Sequence, residues 1–347
     1  MSRDGRIHRA PLALAALITV VVGVGGGAGV YLAAEEQEQS ITRDVEVGQA
    51  LSTNDGPAEN FLIVGSDSRA NADEEAVDFG VIGDEEDVSG SRSDSIMILR
   101  RDPDGGASLL SIPRDLWVPI AGIGKSGKIN WAFNGGATRL AQTITQGLGI
   151  PIHHYIEIDF DGFSRLVDSF GGVPVCIGPP AQDTGSGLSI PGGCQTLAGP
   201  QALAFVRSRQ YEEWSEEEGD WVPDNKNDLG RIERQQFFIS AAATAVLESL
   251  KSNPFLLGNL LEAAGGLVTF DEGLDLAEVG ESLRAAFQEG LQTYQIPVVQ
   301  AFHGDQDALD LGEGADAVLD YFRGVGPQPA DPAAAETTQA PAGTDGN

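Results

Sequence analysis

The apolar and polar positions of the chain divide it into segments of distinct period. An uncharged, almost wholly apolar run extends from Ala10 to Ala34. At the helical rise it covers on the order of 37 Å, enough to cross a bilayer. It has no polar face, so it does not read as a soluble core helix. Asn60-Phe61-Leu62-Ile63-Val64-Gly65 is a buried-strand run ending at glycine. Ser95 to Leu99 and Ala107 to Ile112 are two more strands. The turn Asp102-Pro103-Asp104-Gly105-Gly106 between them predicts a hairpin. Trp131 to Leu148 has helical spacing, with Leu140, Ile144 and Leu148 on one stripe. A strand over His154 to Phe160, a helix over Gly162 to Phe170 and a strand over Val173 to Ile177 follow. Pro200 suits a first helical turn. Arg231 to Lys251 reads as the longest helix. Further helices are predicted near Pro254 to Ala264, Leu274 to Glu289 and Gly314 to Phe322, with a strand over Thr293 to Val298.

The intervening stretches are polar. Glu35 to Glu59 reads as a stalk or first subdomain. The acidic segments Ala70 to Gly90 and Glu212 to Asp228 read as surface loops, and the Pro/Ala/Gly-rich tail from Gly324 as disordered. Strands and helices alternate irregularly and no internal repeat is evident. The economical architecture is α/β, a central mixed β-sheet with helices on both faces, preceded by one N-terminal transmembrane helix. The expected division is 1–9 cytoplasmic, 10–34 transmembrane, 35–59 stalk, 60–323 an extracytoplasmic domain and 324–347 tail.

Charge orients this scheme. Arg3, Arg6, His8 and Arg9 precede the apolar run and Glu35, Glu36 and Glu38 follow it. That places the N-terminus in the cytoplasm and the bulk of a single-pass protein outside the cell membrane. The length favours an uncleaved anchor over cleavage at Leu32-Ala33-Ala34. The net charge of −31, from 52 acidic and 21 basic side chains, repels phosphate backbones and argues against nucleic-acid binding. Seventeen of the basic residues are Arg and four are Lys. A GC-rich coding bias accounts for the ratio as well as function does, but not for the placement in short motifs. Arg presents a planar fork suited to phosphate. The two cysteines, Cys176 and Cys194, outside the cytoplasm read most simply as a disulfide. A metal site is the weaker reading because no His or further Cys lies nearby in sequence.

Four motifs carry candidate chemistry. Gly65-Ser66-Asp67-Ser68-Arg69 follows a strand, and Arg92-Ser93-Asp94-Ser95 leads into one. Ser111-Ile112-Pro113-Arg114-Asp115 ends a strand, with Lys128-Ile129-Asn130 beyond it. Val206-Arg207-Ser208-Arg209 ends a helix, and Asp228-Leu229-Gly230-Arg231-Ile232-Glu233-Arg234-Gln235-Gln236 opens the next. All lie at element termini, where side chains can converge on one mouth of a sheet. Arg69, Arg92, Arg114, Lys128, Arg207, Arg209 and Arg231 with Asp67, Asp94 and Asp228 are what a pyrophosphate–Mg²⁺ site needs. Taken singly, each motif has a bland alternative. Arg207 and Arg209 suit a helix C-terminus, and Arg231 and Arg234 a solvated helix face.

These strings, with Gly135-Gly136, Asp159-Phe160-Asp161-Gly162-Phe163 and Val167-Asp168-Ser169-Phe170-Gly171-Gly172-Val173, resemble the LytR-CpsA-Psr family in order and identity from about Asn60 to Ala245. The cysteine pair resembles the actinobacterial version. The resemblance implies transfer of a glycopolymer (wall teichoic acid, capsular polysaccharide or arabinogalactan) from a polyprenyl-pyrophosphate carrier to peptidoglycan. The usual acceptor is the 6-hydroxyl of N-acetylmuramic acid. It implies Mg²⁺, with Mn²⁺ as an alternative, on Asp67 and Asp94, and pyrophosphate held by Arg92, Arg114, Arg207, Arg209 and Arg231. The lipid tail would lie in an apolar channel. The acidic stretches Asp73–Asp87 and Glu212–Asp228 look long for the family and read as solvated loops.

The expected reaction is attack of an acceptor hydroxyl on the sugar-linked phosphorus, with Asp94, Asp228 or Asp115 taking the proton. The rivals are polyprenyl-pyrophosphate hydrolysis and a non-catalytic lipid-phosphate-binding envelope regulator. His153 and His154 read as structural. Trp117, Trp131 and Phe133 read as core or as lining of a lipid or sugar path.

Overall fold

The computed structural model describes residues 42–53, 56, 58–66, 93–103, 106–252, 268–274 and 291–330, without side chains at 93, 94, 240, 243 and 246–252. The expected membrane span, the acidic segment 70–90 and the predicted helix near 254–264 lie outside them, as does all but the first residue of the one predicted over 274–289.

Two short elements come first, strand β1 (Thr42–Asp44) and helix α1 (Val45–Gly48), which Asp44 caps by accepting from the N–H groups of Glu46 and Val47. Strands β2 (Glu59–Ser66), β3 (Ser93–Arg101) and β4 (Ala107–Ile112) follow. Next come a small ribbon, β5 (Trp117–Ile120) and β6 (Lys125–Lys128), a 3₁₀ segment (Ile129–Gly135), helix α2 (Gly136–Thr143) and a π turn (Ile144–Leu148). Strand β7 (His154–Ile158), helix α3 (Phe160–Ser169) and strands β8 (Val173–Ile177), β9 (Ala181–Asp183), β10 (Leu188–Ile190) and β11 (Gly193–Leu197) lead to helix α4 (Gly199–Arg207). Strands β12 (Glu212–Ser215) and β13 (Asp220–Pro223) precede helix α5 (Asn227–Ser252). Strands β14 (Val268–Asp271), β15 (Leu291–Gln295), β16 (Val298–His303) and β17 (Gln306–Leu311) precede helix α6 (Ala315–Arg323).

The main sheet has seven strands in the order β1-β14-β7-β2-β3-β4-β15. β2 with β7 and β4 with β15 are parallel, whereas β2–β3 and β3–β4 are antiparallel, so the sheet is mixed. Successive side chains on a strand face opposite sides. Phe61, Ile63, Met97 and Leu99 join one core with Phe160, Phe163 and Leu166 of α3, Leu203 and Phe205 of α4 and Phe238 of α5. Leu62, Val64, Ile96 and Ile98 join a second core with Leu140 of α2 and Leu319 and Phe322 of α6. Helices therefore cover both faces.

Several sequence expectations change. The stalk boundary moves: β1 pairs with β14 as an edge strand and Val47 is wholly buried, so 42–53 belongs to the domain. The acidic stretch Glu212–Asp228 is a hairpin running into α5. Trp214 and Trp221 face each other across it with rings 5.6 Å apart, and this aromatic pair outweighs the acids gathered at its turn. The segment Trp131–Leu148 starts as 3₁₀ and ends as a π turn. The late strand stops at Gln295, and the ribbon β16–β17 was not anticipated. Gly324 does not begin a detached tail, since Tyr294 Oη donates to the carbonyl of Pro329 at 3.2 Å. Cys176 and Cys194 form a disulfide across β8 and β11, where they are directly opposed.

A candidate diphosphate site beside an apolar cavity

The carboxyl ends of the parallel strands β2, β7, β4 and β15 share one edge of the sheet with the start of β3. Turns leaving that edge carry the motif residues. After β4, Pro113 ends the ladder and the chain turns, with Leu116 N donating to Pro113 O at 3.0 Å. This turn presents Arg114 and Asp115. The entry to the 3₁₀ segment is stitched to it, since Asn130 N donates to Arg114 O at 3.1 Å. Lys128 thereby meets Asp115, at 3.0 Å.

Helix α4 begins tightly against α3. Gly199 N donates to Asp168 Oδ1 at 2.7 Å, and a Cβ on Gly199 would fall 2.2 Å from Ser164 O. The helix ends at Arg207, where Ser208 turns extended. Asp228 lies in the first turn of α5, with Arg231 and Gln235 three and seven residues on along the same stripe. That stripe enters the mouth of the sheet. Gln235 Nε2 donates to Ser95 Oγ at 2.9 Å and to Val206 O at 3.1 Å, joining β3, α4 and α5. Gln236 Nε2 reaches Ser111 Oγ at 3.3 Å.

Asp228 Oδ1 is the hub. It lies 2.8 Å from Arg231 Nη2, 3.6 Å from Arg209 Nε and 3.8 Å from Arg114 Nε, which is itself 3.9 Å from Asp115. Both carboxylate oxygens of Asp228 are buried and neither makes a hydrogen bond of good geometry among the described residues, so Oδ1 meets its cations as charge contacts. Arg231 is 2% exposed and Arg234 is buried, so the reading of a solvated helix face does not hold. Beside the hub lies a small, partly open pocket. Ile158, Phe160, Phe163, Leu203 and Val206 form its apolar walls, and Asp159, Arg207, Arg231, Ser95 and Gln235 its polar end. The Arg207 guanidinium sits over the Phe160 ring, 4.3 Å from its centroid. Hub and cavity mouth together hold Arg114, Lys128, Arg207, Arg209 and Arg231 against Asp115, Asp159 and Asp228. The mouth is therefore locally positive in a chain of net charge −31.

Of the residues expected from sequence, Arg114, Lys128, Arg209, Arg231 and Asp228 meet in this ion-pair cluster, and Arg207 shares the cavity with Arg231. Asp67, Arg69 and Arg92 lie outside the described residues. The backbone of Asp94 falls at the bulge where the β2–β3 register shifts between Gly65 and Ser66. Among the described residues no group of three or more His, Cys, Asp or Glu is placed to hold a metal ion. His153 Nδ1 accepts from Asn60 N at 2.8 Å, and His154 Nδ1 lies 3.3 Å from Asp271.

One residue that the sequence did not single out organises the loop. Asp183, 2% exposed, accepts on Oδ2 from Ser208 Oγ (2.7 Å), Arg209 N (2.8 Å) and Gln210 N (2.8 Å). Its Oδ1 accepts from Gly185 N and Ser186 N. Burial alone would raise its pKa, but these hydrogen bonds outweigh burial and hold it below the ordinary carboxylate value. From the other side Arg234 Nη2 donates to Ser208 O at 2.7 Å while Nη1 pairs with Asp224 at 2.7 Å. In sequence, Asp183-Thr184-Gly185-Ser186 signals only a turn.

The chain matches the LytR_cpsA_psr family over residues 27–316. It is 34% identical over 268 residues to a probable cell wall biosynthesis protein, LcpB, of Corynebacterium glutamicum, covering 76% of this chain and 61% of that one. It is 34% identical over 197 residues to TagU of Bacillus mycoides, a polyisoprenyl-teichoic acid–peptidoglycan teichoic acid transferase, covering 56% of this chain and 60% of that one. The chain thus spans about 60% of the length of these relatives. Among solved structures, the LytR-Csp2A-Psr enzyme from Actinomyces oris superposes with a TM-score of 0.62 at 25% identity, covering 81% of this chain and 95% of that one.

Proposed function

The chain belongs to the LytR_cpsA_psr family, and from that premise and the geometry above we propose that it transfers a glycopolymer from a polyprenyl-pyrophosphate carrier to peptidoglycan. One observation carries the reading: a cluster of guanidinium groups closes the polar end of an apolar cavity. An isoprenoid diphosphate has the same polarity, a greasy chain ending in concentrated negative charge. Its tail would lie between Phe160, Phe163, Leu203 and Val206. Arg207 and Arg231 would hold the diphosphate at the mouth, with Arg114, Arg209 and Lys128 beyond.

In the proposed reaction the acceptor hydroxyl forms a bond to the sugar-linked phosphorus. The bridging P–O bond breaks and polyprenyl phosphate leaves with the electron pair. The arginines stabilise the charge that gathers on the leaving oxygen. Asp228 faces three of these cations through Oδ1, and its carboxylate, with neither oxygen hydrogen-bonded among the described residues, is proposed to take the hydroxyl proton. Mg²⁺ remains part of the proposal, with Asp67 and Asp94 as its holders; it would supply further neutralisation of the diphosphate. The proposed setting is the outer face of the cell membrane, anchored by residues 10–34, and the Cys176–Cys194 disulfide suits an oxidising exterior.

The test is transfer by the full-length chain from a short-chain polyprenyl-pyrophosphate donor to uncrosslinked peptidoglycan. Arg207→Ala or Arg114→Ala should lower the rate by about 10²–10³. If both variants keep wild-type rates, the assignment is wrong. Release of polymer at the same rate without peptidoglycan would mark the chain as a hydrolase.

A further inference from the structure

Next to the ion-pair cluster lies an aromatic corner that the chemistry above leaves unused. Trp117 opens β5 and stands in register with Lys128, the residue whose Nζ pairs with Asp115. Its ring stacks on His303 at 4.3 Å and 1°, and His303 Nε2 is held by Asp310 Oδ1 at 2.8 Å. Trp131, in the 3₁₀ segment, stands at 72° to Trp117 with ring centroids 6.0 Å apart. It is 40% exposed, although it is flanked by buried Asn130 and Ala132. Glycine makes this placement possible, since a Cβ on Gly127 would lie 2.6 Å from Trp131 Cε3. The ribbon β16–β17 that supplies His303 is tied to the site, because Leu309 N donates to Asp115 O at 3.0 Å.

We propose that the Trp117–Trp131 corner is the binding subsite for the acceptor glycan strand. The inference rests on the transfer reaction proposed above. Displacement at phosphorus places the attacking and leaving oxygens roughly in line, on opposite sides of the phosphorus. The leaving polyprenyl phosphate has its tail among Phe160, Phe163, Leu203 and Val206, which belong to the core on one face of the sheet. The corner is built on Val118, Ile129, Ala132 and Phe133, which belong to the core on the other face. The attacking hydroxyl must approach from that second side, and the sugars next to it occupy the same neighbourhood. An indole ring is a flat apolar surface whose π face attracts positively polarised edges. A pyranose ring presents such a face through its C–H bonds, while its hydroxyl and acetamido groups reach polar neighbours. Two ion pairs adjoin Trp117 and offer such partners: Lys128, its partner across the ribbon, with Asp115, and His303, stacked on its ring, with Asp310.

Calorimetric titration of the full-length chain tests this with three probes: a tetrasaccharide of alternating β-1,4-linked N-acetylglucosamine and N-acetylmuramic acid, geranyl pyrophosphate, and geranyl pyrophosphate bearing one N-acetylglucosamine. Trp131→Ala should weaken tetrasaccharide binding at least tenfold and leave geranyl pyrophosphate unchanged; Trp131→Phe should retain most of the affinity. Wild-type affinity for the tetrasaccharide in Trp131→Ala, or no tetrasaccharide binding by the unaltered chain, overturns the proposal. So does a loss confined to the sugar-bearing diphosphate, which would place the corner on the donor side. Failure of the transfer reading shows separately, as absence of geranyl pyrophosphate binding by the unaltered chain.

Discussion

Asp183→Asn is the sharpest probe of how the site is held. The substitution preserves volume but removes the charge and puts an NH₂ group opposite three donors, Ser208 Oγ, Arg209 N and Gln210 N, or, if the amide is flipped, opposite Gly185 N and Ser186 N. A hydrogen bond to a charged group contributes about 1.5–3 kcal/mol net, and a buried donor left unmet costs about 1–3 kcal/mol. The bonds converge on one carboxylate and are not additive, so a loss on the order of 3–5 kcal/mol is expected, the range for breaking a buried charged partnership. The loop carries Arg207 and Arg209 on either side of Ser208, so its displacement should reach the chemistry. A shift near 1 Å can cost about 10² in rate. Denaturant unfolding measures the first quantity and donor-to-peptidoglycan transfer the second. Asp220→Asn is the control, because Asp220 is exposed and, among the described residues, its side chain accepts from its neighbour Trp221 N alone; it should change stability by less than about 0.5 kcal/mol. Wild-type midpoint and wild-type transfer in Asp183→Asn would refute the reasoning.

Other outcomes follow from the same structure. Replacing Cys176 and Cys194 by Ser frees an 18-residue separation and should cost about 3 kcal/mol, read as a fall in unfolding midpoint that a reductant reproduces in the parent chain. Gly199→Ala places a methyl against Ser164 O and should destabilise by about 1–3 kcal/mol; an unchanged melting temperature would mean that α3 and α4 are less closely locked than described. Burial raises the pKa of Glu157, although hydrogen bonds from Tyr155 and Ser66 draw it down. A carboxyl raised in the fold contributes stability that is fully present below its unfolded pKa of about 4.3 and is lost as pH rises through the folded value. The parent chain should therefore lose ground to Glu157→Gln as pH increases above about 4.3, in urea titrations; a constant gap between the two would contradict this.

The chain's order alone determined the elements whose signals are short in range. Asn60–Gly65, the hairpin around Asp102–Gly106 and the helix beginning near Arg231 are legible because alternation, turn residues and helical stripes act within a few positions. The motifs were legible as well, since Arg and Asp at element ends declare themselves without a partner. Tertiary structure decided which of them meet. Asp228 gathers Arg114 from a turn more than a hundred residues away and Arg209 from across the β12–β13 hairpin, along with its own helical neighbour Arg231. Asp183 secures the Arg207–Arg209 segment from a strand that reads only as a turn-prone stretch. β1 became an edge of the sheet through pairing with β14, more than two hundred residues on, and Trp117 found His303 only when β16–β17 docked beside the site. The physical reason is range. Propensity and periodicity depend on neighbours along the chain, whereas ion pairs, ring stacks and buried hydrogen bonds depend on the closure of long loops, and local sequence carries almost no record of that.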